Sequence, residues 1–245
     1  PTRVGPEQVA QEKKRLAAGY SSQHQQDPVP DQGKAFKREW FRTYRLLSEG
    51  VFGKGEFVLG ERHYTWDDCW RFLTCDPAAS AVDTTKKGHD PDYTVISAWA
   101  VTPDYNLVWL DCHRFRLDVP DIVPQIESVY SLWTPLYVAI EAVAANNAVY
   151  RYSRRTRMIV KEMTTKGKDK LVRATPAMVL AESGRLWFPE TASWLHEAQK
   201  ELLLFKGHGD THDDVVDVLS MACELLDANE EEGDALPIGI GKRAW

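Results

Sequence analysis

The sequence predicts an α/β domain with a mixed β-sheet, and three observations support this prediction. Three short apolar segments separated by turn residues follow one another between residues 70 and 116, as in an antiparallel meander. Strands and helices then alternate, which is typical of parallel strands joined by crossover helices. The last segments of the chain have the spacing of amphipathic helices.

The elements of the meander follow from local patterns. Its strands are WRFLTCD, DYTVISAWAV and LVWLDCHRFR, and TPDYN is the second turn. The next segment, PDIVPQIESVYSLW, has helical spacing, with Ile122, Ile126, Val129 and Tyr130 on one side. LYVAIEAV is a nearly continuous apolar run, as expected of a central strand that is buried on both faces.

The second half of the chain continues this alternation. NNAVYRYSRR is predicted as a helix and RMIVKEM as a fifth strand. DKLVRATPAMVLAESG has a helical pattern that ends at Gly184, the usual residue after a helix C-terminus. RLWFP is predicted as a brief edge strand, and TASWLHEAQKELLLF as an amphipathic helix opened by a Ser/Thr cap. The last helix begins at HDDVVDVLSMA, and its helical pattern is gradually lost in an acidic tail.

Three segments are expected along the chain. Residues 1–60 combine a helical pattern, a Pro/Gly-broken connector and clustered aromatics, which predicts a linker or the edge of a neighbouring domain. Residues 61–228 form the main domain. Residues 229–245 form the acidic C-terminal tail.

Composition excludes several classes. The chain is 43% hydrophobic and 27% charged, which is typical of a soluble globular protein. No apolar run approaches the roughly 20 residues that span a bilayer, so no membrane association is expected. The four cysteines lack a CxxC spacing, which disfavours a zinc site or a disulfide framework and suits a reducing cytosol.

Charge is unevenly distributed. The net charge is −6, yet residues 151–173 contain nine basic and two acidic residues, a local charge of 9 − 2 = +7. Such a segment can attract a polyanion, or it can be an ordinary solvated surface. If it binds DNA, the arginines expected to hold the backbone include Arg154, Arg155 and Arg157.

Acidic residues stand at the ends of predicted elements. Asp76 closes the first strand of the meander, Glu141 closes the fourth strand, and Asp213, Asp214 and Asp217 open the last helix. If these residues converge, their oxygens suit Mg²⁺ or Mn²⁺. Each also has an ordinary interpretation, because Asp76 can shape a turn before Pro77, Glu141 can pair with an arginine, and Asp213 can cap the helix.

Other motifs give weaker evidence of function. The sequence contains no G-x-x-x-x-G-K-[ST], G-x-G-x-x-G or G-x-S-x-G motif. His208 and His212 precede the aspartates of the last helix, and either could shuttle a proton or contact a metal's ligand, although a loop histidine is more often simply solvated. Asp83 lies near Asp76 and is a candidate outer ligand, although a turn role is the simpler interpretation.

The order of these motifs resembles a known family. FLTCDPAAS, DPDYTVISAWAV, YVAIEAVAANN, KGKDKLVRATPAMVLAESGRLWFP and HDDVVDVLSMA resemble, in sequence and spacing, the nuclease domain of tailed-phage large terminase subunits. SSQHQQDPVPDQGKAFKREWF is similar to the segment that joins the ATPase motor of that family to its nuclease. The resemblance covers nearly the whole chain.

The resemblance implies a ribonuclease H/resolvase-like fold with a two-ion Mg²⁺ or Mn²⁺ site. By motif, the catalytic metal ligands would be Asp76, Glu141, Asp213 and Asp214, with Asp83, Asp217 and His212 around them. Lys168, Lys170 and Arg173 match a basic region expected to contact DNA. The implied partners are double-stranded DNA, an ATPase motor domain, the portal and the small terminase subunit, in the cytoplasm of an infected bacterium.

The leading hypothesis is therefore a metal-dependent endonuclease that cuts concatemeric viral DNA during genome packaging. Two alternatives remain open from the sequence. One is a transposase, integrase or Holliday-junction resolvase on the same fold, and the other is a non-catalytic DNA-binding or docking module whose acids are structural.

Overall fold

The fold is built on a single β-sheet. The structure, a computed structural model, describes residues 35–47, 55–78, 93–142, 147–164, 169–208, 210 and 213–231. The strands of this part of the chain are β1 (Arg42–Leu46), β2 (Glu56–Leu59), β3 (Arg62–Thr65), β4 (Trp70–Asp76), β5 (Thr94–Val101), β6 (Leu107–Phe115), β7 (Val138–Glu141), β8 (Val160–Met163) and β9 (Leu186–Pro189).

Five α-helices accompany the sheet in the described residues. They are α1 (Val119–Trp133), α2 (Asn147–Ser153), α3 (Lys170–Glu182), α4 (Leu195–Leu204) and α5 (Asp214–Glu231). No helix in the described part of the chain is long and apolar enough to cross a membrane.

The sheet has the predicted mixed topology. Its strand order is β3-β2-β1-β9-β6-β5-β4-β7-β8. The meander β4, β5 and β6 pairs antiparallel, while β7 pairs parallel with β4 and β8 parallel with β7. The predicted α/β class, with three antiparallel strands followed by parallel ones, is confirmed.

Helices cover both faces of the sheet. Trp99 and Trp109 face one side, where they belong to a core with buried residues of α3, α4 and α5. Ile96 faces the other side, where it belongs to a core with Ile122 of α1 and Val149 of α2. Because β5 contributes to both cores, all eight of its residues are buried. The strand ends at the centre of the sheet are therefore held rigidly between helical layers.

Residues 42–59 extend the sheet past the predicted segment boundary. β1 pairs antiparallel with β2 and parallel with β9, and Tyr44 donates a hydrogen bond from its hydroxyl to the carbonyl of Trp109. Hydrogen bonding therefore continues across residue 60 rather than stopping there. The predicted N-terminal helical pattern and residues 232–245 of the acidic tail lie outside the described residues.

Two local predictions about the second half are wrong. β9 lies between β1 and β6, inside the sheet, and all four of its residues are buried, so it is not an edge strand. The helix α4 begins after Trp194, and no side-chain cap hydrogen bond is present there. The Trp194 ring packs 5.3 Å from that of Trp109, so tertiary packing rather than a Ser/Thr cap fixes this helix start.

The predicted end of α3 is confirmed. The helix ends at Glu182, and Gly184 follows with φ of +74°. A Cβ at this glycine would meet only the end of the flexible Arg42 side chain, which can move aside, so the positive φ is what requires glycine.

Candidate metal centre

Two carboxylates meet at the ends of adjacent parallel strands. Cys75 of β4 is in register with Ile140 of β7, so Asp76 and Glu141 close the two strands side by side. Their side chains are hydrogen-bonded to each other. Burial raises the pKa of Asp76 well above its usual range, and the charges of Glu141, Asp217 and Asp214 raise it further. This end of the sheet is thus crowded with negative charge.

The last helix brings its aspartates to the same place. Asp214 is the first residue of α5, and the backbone N–H of Asp217 donates to the carbonyl of Asp213 at 3.0 Å. The buried faces of α5 pack on the sheet beside β4 and β5, with Val215, Val218 and Leu219 in the core. The helix N-terminus also favours negative charge near it.

Two cations from α3 pair with part of this acidic group. The Lys170 ammonium donates to Asp213 Oδ2 at 2.6 Å and to Asp217 Oδ2 at 3.3 Å. Arg173 Nη2 lies 2.7 Å from Asp217 Oδ1, and its Nη1 lies 3.9 Å from Glu141 Oε1. Burial lowers the pKa of Lys170, but the hydrogen bond to Asp213 and the charge of Asp217 outweigh it and leave this pKa raised.

Asp214 has a different environment from Asp213. Arg114, near the end of β6, places its Nη2 atom 3.7 Å from Asp214 Oδ2 and 3.2 Å from Glu201 Oε2. The other Glu201 oxygen accepts the backbone N–H of Val215 at 2.6 Å. Burial raises the pKa of Glu201 to about 7, although Arg114 and the Val215 N–H act in the opposite direction.

These side chains surround one cleft. Its volume is about 230 Å³. The charged or aromatic residues that line it are Asp76, Tyr93, Glu141, Lys170, Arg173, Asp213, Asp214 and Asp217. The structure therefore brings together all four predicted ligands, with Asp217 and two of the predicted DNA-contacting cations.

The donor set fits a hard divalent cation. Five acids and two bases line the cleft, a formal charge of 2 − 5 = −3. Carboxylate oxygens are the ligands that Mg²⁺ and Mn²⁺ prefer. Among the described residues, no three acidic, histidine or cysteine side chains already surround a common ion position. Asp76, Glu141 and Asp214 are the residues that would hold an ion, whose positive charge would offset the burial and the neighbouring negative charges that raise the pKa of Asp76.

The other predicted residues fall into two groups. Arg154, Arg155 and Arg157 are exposed and precede β8, whereas the carboxylates lie where β4 and β7 end, so this run is at the opposite end of the parallel strands. Asp83, Lys168 and His212 lie outside the described residues.

Three residues near the site were not predicted. Arg114 and Glu201 come from different elements, and Tyr93 lines the cleft beneath Arg114, whose guanidinium lies 4.3 Å from the ring centroid. Glu201 had a signal, because it occupies the apolar stripe of α4 between Ala198 and Leu202, where an acid is out of place. For Arg114, the strand pattern contained no signal of a functional role.

This geometry defines a class of protein. A mixed sheet whose central parallel strands end in acids, facing acids at the start of a helix packed on the sheet, is the ribonuclease H-like arrangement. Residues 74–226 match the family model of the terminase RNaseH-like domain. The chain belongs to the terminase RNaseH-like domain family.

Solved structures share this fold. The large terminase nuclease from thermophilic phage G20c aligns with a TM-score of 0.53 and 16% identity over 79% of this chain and 98% of that chain. Its structure with bound magnesium aligns with a TM-score of 0.55 at 16% identity, over 80% and 98%. Its structure with bound cobalt gives 0.53 at 15%, over 80% and 98%. The comparison with curated proteins returned no significant match.

Proposed function

We propose that this chain is a metal-dependent endonuclease that cuts double-stranded DNA during viral genome packaging. The observation that carries the proposal is the convergence of Asp76, Glu141 and Asp214 on one cleft of net negative charge. Membership of the terminase RNaseH-like domain family supports the packaging role. The magnesium- and cobalt-bound structures of the phage G20c nuclease support the use of divalent ions.

Asp76, Glu141 and Asp214 are the residues that would hold two Mg²⁺ or Mn²⁺ ions. Asp76 would be the central member of this set, because its carboxylate is hydrogen-bonded to Glu141 and also feels the charge of Asp214. When bound, such ions lower the pKa of a coordinated water and stabilise the charge that develops on the cleaved phosphate. Asp213 would contribute indirectly, through Lys170.

Lys170 and Arg173 complete the site in different ways. The Arg173 side chain is only 10% exposed and lies against Asp217 and Glu141, so its role is to hold these acids. The Lys170 side chain is 41% exposed and bonds to Asp213 and Asp217, and we propose that it also contacts a DNA phosphate. Phosphate contacts position a duplex without reading its sequence, so cleavage should be weakly specific.

In the packaging process this domain would act beside an ATPase motor domain, the portal and the small terminase subunit, in the cytoplasm of the infected host. Those partners would deliver concatemeric DNA to the cleft. The endonuclease activity belongs to the cleft itself and can be tested without them.

The test is cleavage of a supercoiled plasmid in Mg²⁺ or Mn²⁺. Asp76→Asn, Glu141→Gln and Asp214→Asn should each lower the rate by more than about 100-fold, since metal stabilisation amounts to several kcal/mol. The matched control is Asp118→Asn, an exposed acid before α1 whose side chain makes no cap hydrogen bond. Melting with and without Mn²⁺ should show stabilisation of the parent and of Asp118→Asn, and less stabilisation of the three acid variants.

The outcomes separate the alternatives. Acid variants that cut as fast as the parent would contradict the site, and a parent that binds DNA but neither cuts it nor gains stability from Mn²⁺ would be a non-catalytic module. Faster cutting of a four-way junction than of linear duplex would instead indicate a resolvase.

A further inference from the structure

A buried ion pair stands behind one of the proposed ligands. Arg114 comes from β6 and Glu201 from the middle of α4, and their side chains are only 22% and 5% exposed. The pair meets at 3.2 Å between Arg114 Nη2 and Glu201 Oε2. The Tyr93 ring, 4.3 Å from the guanidinium, limits its movement on the cleft side.

The pair touches the start of α5 at two points. Glu201 Oε1 accepts the backbone N–H of Val215, which fixes the main chain directly after Asp214. Arg114 Nη2 lies 3.7 Å from Asp214 Oδ2, which restricts the side chain of the same residue. Backbone and carboxylate of Asp214 are thus both held by one pair of charges.

Stability alone gives a weak account of this arrangement. Taking two ions out of water is costly, and well-packed apolar residues of similar volume often stabilise a protein at least as well. Outer partners that contact a metal ligand are, by contrast, a usual means of orienting it. The position of the pair, against Asp214 and not against the lysine-bound Asp213, matches that purpose.

We infer that Arg114 and Glu201 are positioning residues that hold Asp214 in the orientation required to ligate a divalent ion. The inference rests on the proposed function and adds to it two residues from elements outside the predicted motifs. Glu201 sets where α5 begins relative to the strand ends. Arg114 aims the carboxylate.

The expected effect is on metal affinity. Loss of such an outer partner typically weakens metal binding about 10- to 100-fold. The KM for DNA should stay within about twofold of the parent value, because neither side chain is placed to contact a phosphate. A purely structural pair would instead lower the melting temperature and leave the Mn²⁺ affinity of the folded protein unchanged.

The experiment is a Mn²⁺ titration of the metal-free chain by calorimetry, combined with metal-free melting curves. Arg114→Gln alone leaves Glu201 without its partner and can impair folding, so the main variant is the double change Arg114→Met with Glu201→Gln. This variant removes both charges and keeps an oxygen for the Val215 N–H. Arg114→Lys tests rescue by a retained charge.

The control is Lys200→Gln, which removes a half-exposed ion pair with Glu197 from the same helix. We expect the double variant to melt within a few degrees of the parent, to bind Mn²⁺ at least tenfold more weakly and to cut DNA fully only at raised Mn²⁺. Arg114→Lys should recover part of the affinity, and Lys200→Gln should match the parent.

Two results would overturn the inference, and they are distinguishable. If the parent binds Mn²⁺ and cuts DNA while the folded double variant binds Mn²⁺ equally well, the positioning role is wrong and the proposed function stands. If the parent itself binds no Mn²⁺ and cuts no DNA, the proposed function fails and the positioning role fails with it.

Discussion

Asp213 and Asp214 are neighbours in sequence with different contacts in the cleft. Successive residues entering a helix point about 100° apart, so two adjacent acids tend to face different partners. Asp213 turns to the Lys170 ammonium at 2.6 Å, while Asp214 interacts with Asp76 and with Arg114. The sequence left open which of the pair would touch metal, because that choice depends on where α3 and β6 place their cations.

The first prediction separates the two aspartates. Asp214→Asn should weaken Mn²⁺ binding by at least about tenfold, since it removes a ligand charge next to Asp76. Asp213→Asn should change it less than about threefold, because Lys170 keeps its bond to Asp217. Both affinities can be measured by calorimetry on the metal-free variants. Equal losses in the two variants would contradict the proposed ligand set.

The second prediction concerns Glu201 and pH. Its folded-state pKa is about 7, above the ordinary value of 4.5. Between these values the folded state binds more protons than the unfolded state, so this residue lowers the free energy of unfolding as pH rises. The full shift corresponds to about 3 kcal/mol as an upper estimate.

Urea denaturation of the parent and of Glu201→Gln at pH 5 to 8 provides the measurement. The difference in unfolding free energy should shift in favour of the variant as pH rises from 5 to 7, and then level off. Taking the difference cancels carboxylates that titrate alike in both proteins. A difference that does not change over this range would show that Glu201 has an ordinary pKa.

At the scale of elements, one side chain fastens α5 to the sheet. Thr74 of β4, fully buried two residues before Asp76, donates its hydroxyl to the Val218 carbonyl at 3.1 Å. The same hydroxyl accepts the Trp99 indole N–H at 2.8 Å. The strand that ends in Asp76 and the helix that begins with Asp214 are thus joined directly.

The third prediction tests this connection. Thr74→Val keeps the volume but leaves the Trp99 N–H without an acceptor, so it should lower the free energy of unfolding by about 1–3 kcal/mol. Thr43→Val on the exposed face of β1 should stay within about 0.5 kcal/mol. Urea denaturation checks both. A Thr74→Val variant as stable as the parent would show that the hydroxyl is not needed for packing α5.

Elements with a strong local period were predictable, and the acids that close β4 and β7 could be recognised. The carboxyl ends of parallel neighbours share one edge of a sheet, so Asp76 and Glu141 meet because β4 and β7 are neighbours, which the strand patterns did not specify. The position of β9 was not predictable, because its apolar residues fit an edge or an interior equally well. What buries it is β1, from a segment whose composition indicated a linker. Arg114 was missed because a long-range ion pair leaves no spacing in the sequence, whereas Glu201 could have been noticed as an acid in the apolar stripe of α4.

At the scale of the whole molecule, an exposed run of arginines is separated from the cleft. β7 and β8 are in parallel register from Val138 with Val160 to Glu141 with Met163. Arg157 precedes Met163 by six residues, which places it roughly 20 Å from the carboxylate end at about 3.3 Å per residue. Across the described residues, no acid forms an ion pair with Arg154, Arg155 or Arg157, so these guanidiniums are available to a polyanion.

Because of this distance, the effect expected in the last prediction depends on the length of the DNA duplex. A duplex advances 3.4 Å per base pair, so a DNA bound in the cleft and lying along β8 would reach the three arginines about six base pairs from the cut. Replacing all three with Gln should therefore raise the KM for a 30-base-pair duplex and reduce the salt dependence of binding by about one phosphate contact per arginine lost.

The same triple variant should behave like the parent on duplexes that end within about six base pairs of the cut on that side, because they cannot reach the arginines. The rate at saturating DNA and the Mn²⁺ affinity should not change, since the cleft is untouched. The control is Arg62→Gln, which removes an exposed arginine paired with Asp104 near the far edge of the sheet. Equal KM increases on short and long duplexes would contradict a path of the DNA along β8. They would indicate that these arginines are ordinary solvated surface residues.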